Sequence, residues 1–296
     1  MKITGQTSIY GIIGCPVKHS LSPVFQSYFA KKYGMSAVYV PFHVEERNLQ
    51  TAITGLGALG VQGVNITVPY KEKVLPFTEC DGDVVQIGAA NTLHQNVLGD
   101  WQASNTDWKG VAAVLQGAGL PLQNESLLLF GAGGTSRAVL HAVSSLGFKS
   151  VGICNRSPER VSVLLEHVAQ YYPQLDCFQV AWNQQAVSAA SKDSHFIVNT
   201  TSIGLVEACQ FPFELGGSGW AMDAVYKPAG ETPFTLAASQ GGRLAIDGLA
   251  MLIAQGASSF NIWHPSVEPD KLDALMWMEH QLGRKSVILP GWEGFK

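Results

Sequence analysis

Strand-like apolar runs alternate with segments of helical spacing along most of this chain. Ser8 to Ile13 reads as a first strand, and Pro23 opens a helix carrying Val24, Phe25, Tyr28 and Phe29, since proline suits a helix's first turn. Ala37 to Phe42 reads as a second strand, Leu49 to Leu59 as a helix, and Val64 to Val68 as a third strand. Ala89 to Trp101 has the pattern of two short strands around a turn. Val111, Val114, Leu115 and Ala118 recur at i, i+3, i+4 and i+7, one face of a helix that Gly119-Leu120-Pro121 ends. The apolar run Leu127 to Phe130 then restarts the alternation. The turn Gly131-Ala132-Gly133-Gly134 and a helix from Thr135 to Leu146 follow it. Val151 to Cys154 is the next strand, and Val161, Leu164, Leu165 and Val168 mark the next helix. Phe196 to Asn199, Trp220 to Ala224 and Arg243 to Ile246 read as strands. Two helical stretches close the chain, one with Leu252, Ile253 and Phe260 and one near Leu272 to Leu282. Strands alternating with helices predict parallel pairing and the α/β class.

The chain has 296 residues, room for about two domains. With 46% hydrophobic and 14% charged residues, it has the balance of a folded protein with sizeable cores. The net charge of -4 and the lack of a basic run argue against nucleic acid as a partner. Cys15, Cys80, Cys154, Cys177 and Cys209 are scattered without a C-x-x-C pair. Reduced thiols in a cytoplasmic protein are therefore expected, with neither a disulfide framework nor a metal site. Met1 to Gly14 lacks the apolar core of a signal peptide. No apolar run reaches the ~20 residues of a membrane span.

The segment Leu127 to Arg137 is a strand, a glycine turn and a helix start. The free N–H groups and positive dipole end of such a helix suit a pyrophosphate. Gly131 permits the tight turn, Gly133 admits the phosphates to the backbone, and Ser136 stands where glycine or alanine is usual. The next strand ends in Cys154-Asn155-Arg156-Ser157-Pro158-Glu159-Arg160. An acidic residue there would bind the ribose of NAD. Here Arg156 and Arg160 offer forked cationic donors to a 2′-phosphate, with Asn155 and Ser157 beside them, which points to NADP. Glu159 is the exception, expected to pair with a base or face solvent.

Four polar segments lie in the first half. Ser20-Leu21-Ser22-Pro23 places two hydroxyls before a helix, as N-caps or as ligands of a carboxylate. Asn65-Ile66-Thr67-Val68-Pro69-Tyr70-Lys71 puts Asn65 and Thr67 on one face of a strand. Both faces of a parallel sheet are usually covered, so these side chains need polar partners, which a polyol would provide. Ala90-Asn91-Thr92 and Asn105-Thr106-Asp107 complete the set. Asn91 can equally satisfy a turn, and Asp107 can equally cap the helix that follows. His19, His43, His94 and His264 have no partners at metal-ligand spacing.

These segments, with Gly131 to Gly134 and Asp247-Gly248-Leu249-Ala250-Met251-Leu252-Ile253-Ala254-Gln255, occur in the order seen in shikimate dehydrogenases. The chain resembles that family from about Tyr10 to Gln255. The resemblance implies an NADPH-dependent, reversible reduction of 3-dehydroshikimate to shikimate, a step of aromatic amino acid biosynthesis. It implies a catalytic pair, Lys71 and Asp107. Ser20 and Ser22 would bind the substrate carboxylate, with Tyr226 near it, and Asn65, Thr67, Asn91 and Gln255 would bind its hydroxyls. Gly131, Ala132, Gly133, Gly134, Asn155, Arg156, Ser157 and Arg160 would hold the cofactor, and backbone groups near Ala224 and Gly248 its nicotinamide. The implied fold is an N-terminal α/β substrate domain, residues 1–107, with C-terminal helices 248–296 returning to it, and a Rossmann-like NADP-binding domain, residues 108–247. A monomer or homodimer is expected.

The chain departs from the family in places. Trp108-Lys109-Gly110 follows Asp107 where many members have glycine at once, so the indole either reshapes the cleft or turns into the core. Ser104 replaces a residue that is often acidic, and Thr135-Ser136 alters the cofactor turn. Three rivals stay open: a quinate or mixed quinate/shikimate enzyme, a methylenetetrahydrofolate dehydrogenase, and a non-catalytic metabolite-binding protein on the same scaffold.

Overall fold

The computed structural model describes residues 3–205, 209–284 and 289–292. The chain divides into two compact units: Met1–Gly110 with Leu252–Ala274, and Val111–Met251 with Leu275–Lys296.

The first unit is built on one sheet of six strands: β1 (Ser8–Gly14), β2 (Ala37–His43), β3 (Gly63–Ile66), β4 (Glu79–Cys80), β5 (Thr92–Gln95) and β6 (Trp101–Ser104). Their spatial order is β2-β1-β3-β5-β6-β4. β1 pairs in parallel with β2 and β3, whereas β5 runs antiparallel to both β3 and β6. Helices α1 (Ser22–Lys32), α2 (Leu49–Ala58) and the short α3 (Gly82–Ile87) fill the connections. Ile13, Val64, Ile66, Leu93 and Ala103, all from the strands, pack with Ile53, Leu56 and Val84 in one apolar cluster. α3 falls where the hydrophobic pattern is too short to register. Its ends are nonetheless defined: Asp81 accepts the Val84 N–H at 2.8 Å, and Gly88 closes it in the left-handed region.

The second unit holds six parallel strands: β7 (Ser126–Phe130), β8 (Ser150–Cys154), β9 (Asp176–Val180), β10 (Phe196–Asn199), β11 (Trp220–Asp223) and β12 (Leu244–Ile246). The order β12-β11-β10-β7-β8-β9 is that of a doubly wound dinucleotide fold, whose direction reverses between β7 and β10. α5 (Gly134–Ser145), α6 (Pro158–Tyr171), α7 (Gln184–Lys192) and α8 (Pro233–Gln240) connect the strands. Central strands β7 and β10 are continuous buried apolar runs, as expected where helices cover both faces. β9, α7 and α8 were not foreseen. β9 is an edge strand with several exposed residues and carries no strong apolar period. α7 does bury a stripe, Ala186, Val187 and Ala190, but it is mostly alanine among polar residues.

α4 (Asp107–Gly117), α9 (Leu249–Trp263) and α10 (Lys271–Gln281) each contain a unit boundary. The division groups Leu252–Ala274 with the first unit and Leu275–Lys296 with the second. Trp292, 1% exposed, donates its indole N–H to the Ala113 carbonyl of α4 at 2.8 Å. Arg284 pairs with Asp247 just after β12. Among the described residues Cys15, Cys80, Cys154 and Cys177 are in no disulfide. No helix of the described residues is long and apolar enough to cross a membrane.

A buried indole is a large apolar payload with one polar handle. Trp292→Ala should therefore lower unfolding stability by about 3–5 kcal/mol, read from urea denaturation.

Candidate functional site

Lys71 sits after the turn that follows β3, and Asp107 is the first residue of α4. Lys71 Nζ donates to Asp107 Oδ2 at 2.5 Å, with the side chains 16% and 6% exposed. Asp107 is no N-cap. Asn105 Oδ1 accepts its N–H at 3.0 Å, and both Asp107 carboxylate oxygens meet side chains. The second oxygen accepts the Asn91 amide at 2.9 Å. The Lys71 carbonyl accepts the Ala90 N–H at 2.8 Å, tying the lysine's backbone to the strand that presents Asn91.

Asn91 is the centre of this group. Its Nδ2 faces Thr106 Oγ1, Asp107 Oδ1 and Gln255 Oε1 at 2.9–3.1 Å. Its Oδ1 accepts the Thr106 N–H at 2.6 Å and the Thr92 hydroxyl at 3.1 Å. Gln255, from α9, is held in turn by the Leu252 carbonyl.

The partners of Asn65 are not those foreseen. Strand burial does demand them, but the protein supplies them itself: Tyr39 donates to Oδ1 at 2.7 Å, and Nδ2 reaches the Asn91 carbonyl, Thr92 and Ser259 at 3.0–3.1 Å. Thr67 lies one residue beyond β3 and is half-buried. Ser259 was missed. It is fully buried one turn beyond Gln255 and meets Thr92 and Thr106 at 2.8 and 2.9 Å. Its spacing i+4 from Gln255 was the available signal.

Neither serine of the first polar segment caps α1 through its N-cap position, which is Leu21. Ser22 is the buried first helical residue, and the half-buried Ser20 accepts its N–H at 3.2 Å. Among the described residues, Ser20, Ser22 and Thr67 do not hydrogen-bond to the Lys71 group. Trp108 does not turn fully into the core. It is half-buried, and its indole N–H reaches Asp83 Oδ2 in the first turn of α3 at 3.1 Å. A residue one step along α4 from Asp107 points about 100° away from it.

In the second unit, Gly131, Ala132, Gly133 and Gly134 form the turn between β7 and α5. Gly131 has φ 113°, and a Cβ there would collide with the Thr200 hydroxyl, so only glycine fits. A Cβ at Gly133 would meet nothing within 4 Å, so its backbone is open to a ligand at the N-terminus of α5. Ser136 is fully buried; it accepts the Gly133 N–H at 3.1 Å and meets the Thr200 hydroxyl at 2.7 Å. The departure from glycine thus braces the turn across the switch point. At the end of β8, Asn155 donates to the Ser157 carbonyl at 3.0 Å. Arg156, Glu159 and Arg160 are exposed and form no ion pair among the described residues, so Glu159 faces solvent. These groups fit a phosphorylated dinucleotide: an open helix N-terminus beside two uncommitted guanidiniums. Among the described residues no His, Cys, Asp or Glu cluster suits a metal.

Ala224 and Gly248 follow β11 and β12, and Tyr226 is half-buried just beyond Ala224. Two buried aspartates stand behind them. Asp223 accepts the Val225 N–H, the Asn199 amide and the Thr232 hydroxyl at 3.0, 2.8 and 2.6 Å. Burial nonetheless pushes its carboxyl up from 3.8 to about 7. Asp247 is also raised by burial, against the pull of Arg284.

Residues 12–93 match the substrate-binding domain of shikimate dehydrogenase. A shikimate dehydrogenase (NADP(+)) of Pyrococcus furiosus is 36% identical over 94% of this chain and 99% of its own. The chain belongs to the shikimate dehydrogenase family. The crystal structure of shikimate dehydrogenase from Aquifex aeolicus superposes with TM-score 0.82 at 36% identity, covering 96% of this chain and all of that one. That of the Thermus thermophilus enzyme, in complex with NADP(H) and shikimate, gives 0.81 at 30% identity over 93% and 100%. In this member of the shikimate dehydrogenase family, the matched region contains Ser20, Ser22, Asn65, Thr67, Lys71 and Asn91.

Asp223 gives a pH signature. With its folded pKa above its unfolded one, folding takes up a proton between about pH 4 and pH 7, so this group's contribution falls as pH rises through that window and is flat above it. Asp223→Asn should gain on the wild type by up to about 1.4 kcal/mol per pH unit across the window. The measurement is urea denaturation of both proteins at several pH values. A stability difference that stays constant across the window would overturn this assignment.

Proposed function

We propose that this chain is an NADP-dependent shikimate dehydrogenase that interconverts 3-dehydroshikimate and shikimate. The observation that carries this reading is the Lys71–Asp107 pair, held at 2.5 Å and fixed from behind by Asn91.

Bound NADPH would supply the hydride. The protein must bind the acid, orient its ketone and deliver a proton to the oxygen as it gains charge. Lys71 suits this task. One of its three N–H groups goes to Asp107 Oδ2, which leaves donors for the ketone oxygen. Asp107 aims the ammonium and balances its charge. In the reverse direction the pair accepts the proton of the hydroxyl. Asn65 and Asn91 each present two amide hydrogens to three acceptors, so substrate hydroxyls can take over part of a shared bond without stranding a buried group. With Thr67 and Gln255, they form the hydroxyl-binding set. Ser20 and Ser22 receive the carboxylate, with Tyr226 near it.

The turn Gly131 to Gly134 would hold the pyrophosphate, and Arg156 and Arg160, with Asn155 and Ser157, the 2′-phosphate. Ala224 and Gly248 would bind the nicotinamide carboxamide through their backbones. On this reading the first unit is the substrate domain and the second the cofactor domain.

The direct test is turnover of shikimate and quinate with NADP+ and NAD+ in all four combinations. Fastest turnover with shikimate and NADP+ supports the proposal; quinate preference overturns its substrate, and no turnover overturns the activity. Lys71→Ala should lower kcat by about a hundredfold or more with a small change in KM. Near wild-type kcat would remove Lys71 from the proton transfer. Arg156→Ala should cut the preference for NADP+ over NAD+ by about tenfold, and an unchanged ratio of the two kcat/KM values would count against its role.

A further inference from the structure

Two turns follow the last strands of the second sheet: residues 224–231 after β11 and 247–249 after β12. In an open α/β sheet, ligands bind beyond the carboxyl ends of the strands. The turns are joined directly, as the Gly248 N–H donates to the Val225 carbonyl at 2.9 Å. Asp247 reinforces the join by accepting the Lys227 N–H at 3.2 Å from one turn and the Leu249 N–H at 3.3 Å from the other.

A carboxylate has about four acceptor directions, which leaves room for two more donors, and Arg284 supplies them. Its two terminal nitrogens meet the two oxygens of Asp247 at 3.1 and 2.8 Å, the forked arrangement that fixes a carboxylate's plane. The side chains are 5% and 2% exposed, so little solvent screens the pair. Arg284 also lies against the first turn. Gly230 has φ 83°, and a Cβ there would fall 2.9 Å from Arg284 Nε. The guanidinium therefore seats on bare backbone at one turn while its fork holds the acid behind the other. It arrives from the segment just after α10, where its own N–H donates to the Glu279 carbonyl at 2.9 Å.

We propose that Arg284 is a positioning residue for the cofactor: it holds the 224–231 and 247–249 turns as one platform for the nicotinamide. This rests on the reading of Ala224 and Gly248 given above. Arg284 touches neither substrate nor cofactor; it acts through Asp247 and Gly230. A lysine could replace its charge but not the fork, because an ammonium is a single point of attachment.

The test compares wild type, Arg284→Lys and Arg284→Met. The first readout is amide hydrogen exchange of the ligand-free proteins. Loss of the platform speeds exchange at Val225, Lys227, Gly248 and Leu249 while β7 and β8 stay protected. The second is the Kd for 2′-phospho-ADP-ribose, which lacks the nicotinamide and should bind all three proteins within about twofold. The third is kcat with shikimate and NADP+ well below the melting temperature. It should fall by about tenfold or more in Arg284→Met, as expected of a misplaced reactant, and recover in part in Arg284→Lys. Unchanged exchange in both turns, or unchanged kcat in folded Arg284→Met, overturns the proposal. So does loosening that spreads through β7 and β8 and weakens 2′-phospho-ADP-ribose equally, since that describes a residue serving general stability. If Arg284→Met does not fold, exchange and kcat in Arg284→Lys decide, because that variant keeps a charge beside Asp247. Failure of the underlying reading looks different: the wild type itself then binds neither NADP+ nor 2′-phospho-ADP-ribose, and both proposals fall.

Discussion

The first unit's chemistry depends on one buried carboxamide. Asn91 is 3% exposed and has to place two hydrogens and one oxygen among groups from β5, the turn before α4, and α9. An unsatisfied buried amide costs about 1–3 kcal/mol, so these elements can close on one another only in an arrangement that satisfies it. Asp107 is part of that arrangement. With Oδ1 held by Asn91 and the backbone N–H by Asn105, its carboxylate has one orientation left, and Oδ2 meets Lys71. The Lys71–Asp107 contact is thus set by an amide that transfers no proton. Because members of a buried polar network polarise one another, loss of Ser259 or Thr106 would reach the pair without touching it.

The parts of the fold legible in the sequence were those where one face is dry. β7 and β10 carry uninterrupted apolar residues, and α4 has an apolar stripe, so periodicity alone located them. β9 escaped because it lies at the sheet's edge with several residues exposed, and α7 because its buried stripe, Ala186, Val187 and Ala190, is mostly alanine. α3 escaped because six residues make less than two turns; its Asp81 cap and Gly88 stop were present, but without an apolar stripe between them. The long-range contacts of the chain's end were not legible for another reason. Burial of Trp292 and pairing of Arg284 are long-range events, and nothing near either residue announces Ala113 or Asp247 as its partner.

The candidate site was legible as a set of residue types and much less so as a geometry. Lys71, Asn91, Asp107 and Gln255 come together, while Asn65 turns out to be committed to Tyr39, Thr92 and Ser259. The inference from Asn65 was sound in kind, since a polar group in a covered sheet needs partners. It did not anticipate that the protein itself supplies partners to both ends of the amide. Family resemblance names the residues that face a ligand; it is silent on Ser259, whose role is to hold them. Ser136 teaches the same lesson in the other unit, where a hydroxyl in place of a glycine became a brace to Gly133 and Thr200.

The two units solve the problem of placing a ligand by different means. Around Lys71 the polar groups behind the ammonium are satisfied by one another through Asn91, while the ammonium itself keeps donors beyond its bond to Asp107. At the end of β8 the guanidiniums of Arg156 and Arg160 are exposed and retain rotamer freedom that any bound phosphate would have to remove. Their charge reaches over about 8–10 Å at moderate salt, which suits capture of a polyanion. The turns after β11 and β12 lie between these limits. Asp223 and Asp247 are buried acids whose partners include backbone N–H groups of both turns, so the shape of those turns is fixed electrostatically, by acceptors placed beneath them. Side-chain packing against the turns has correspondingly less to decide. Change at Asp223, Asp247 or Arg284 therefore alters the path of the turns itself, and so does any side chain at Gly230, where a Cβ would meet the Arg284 guanidinium.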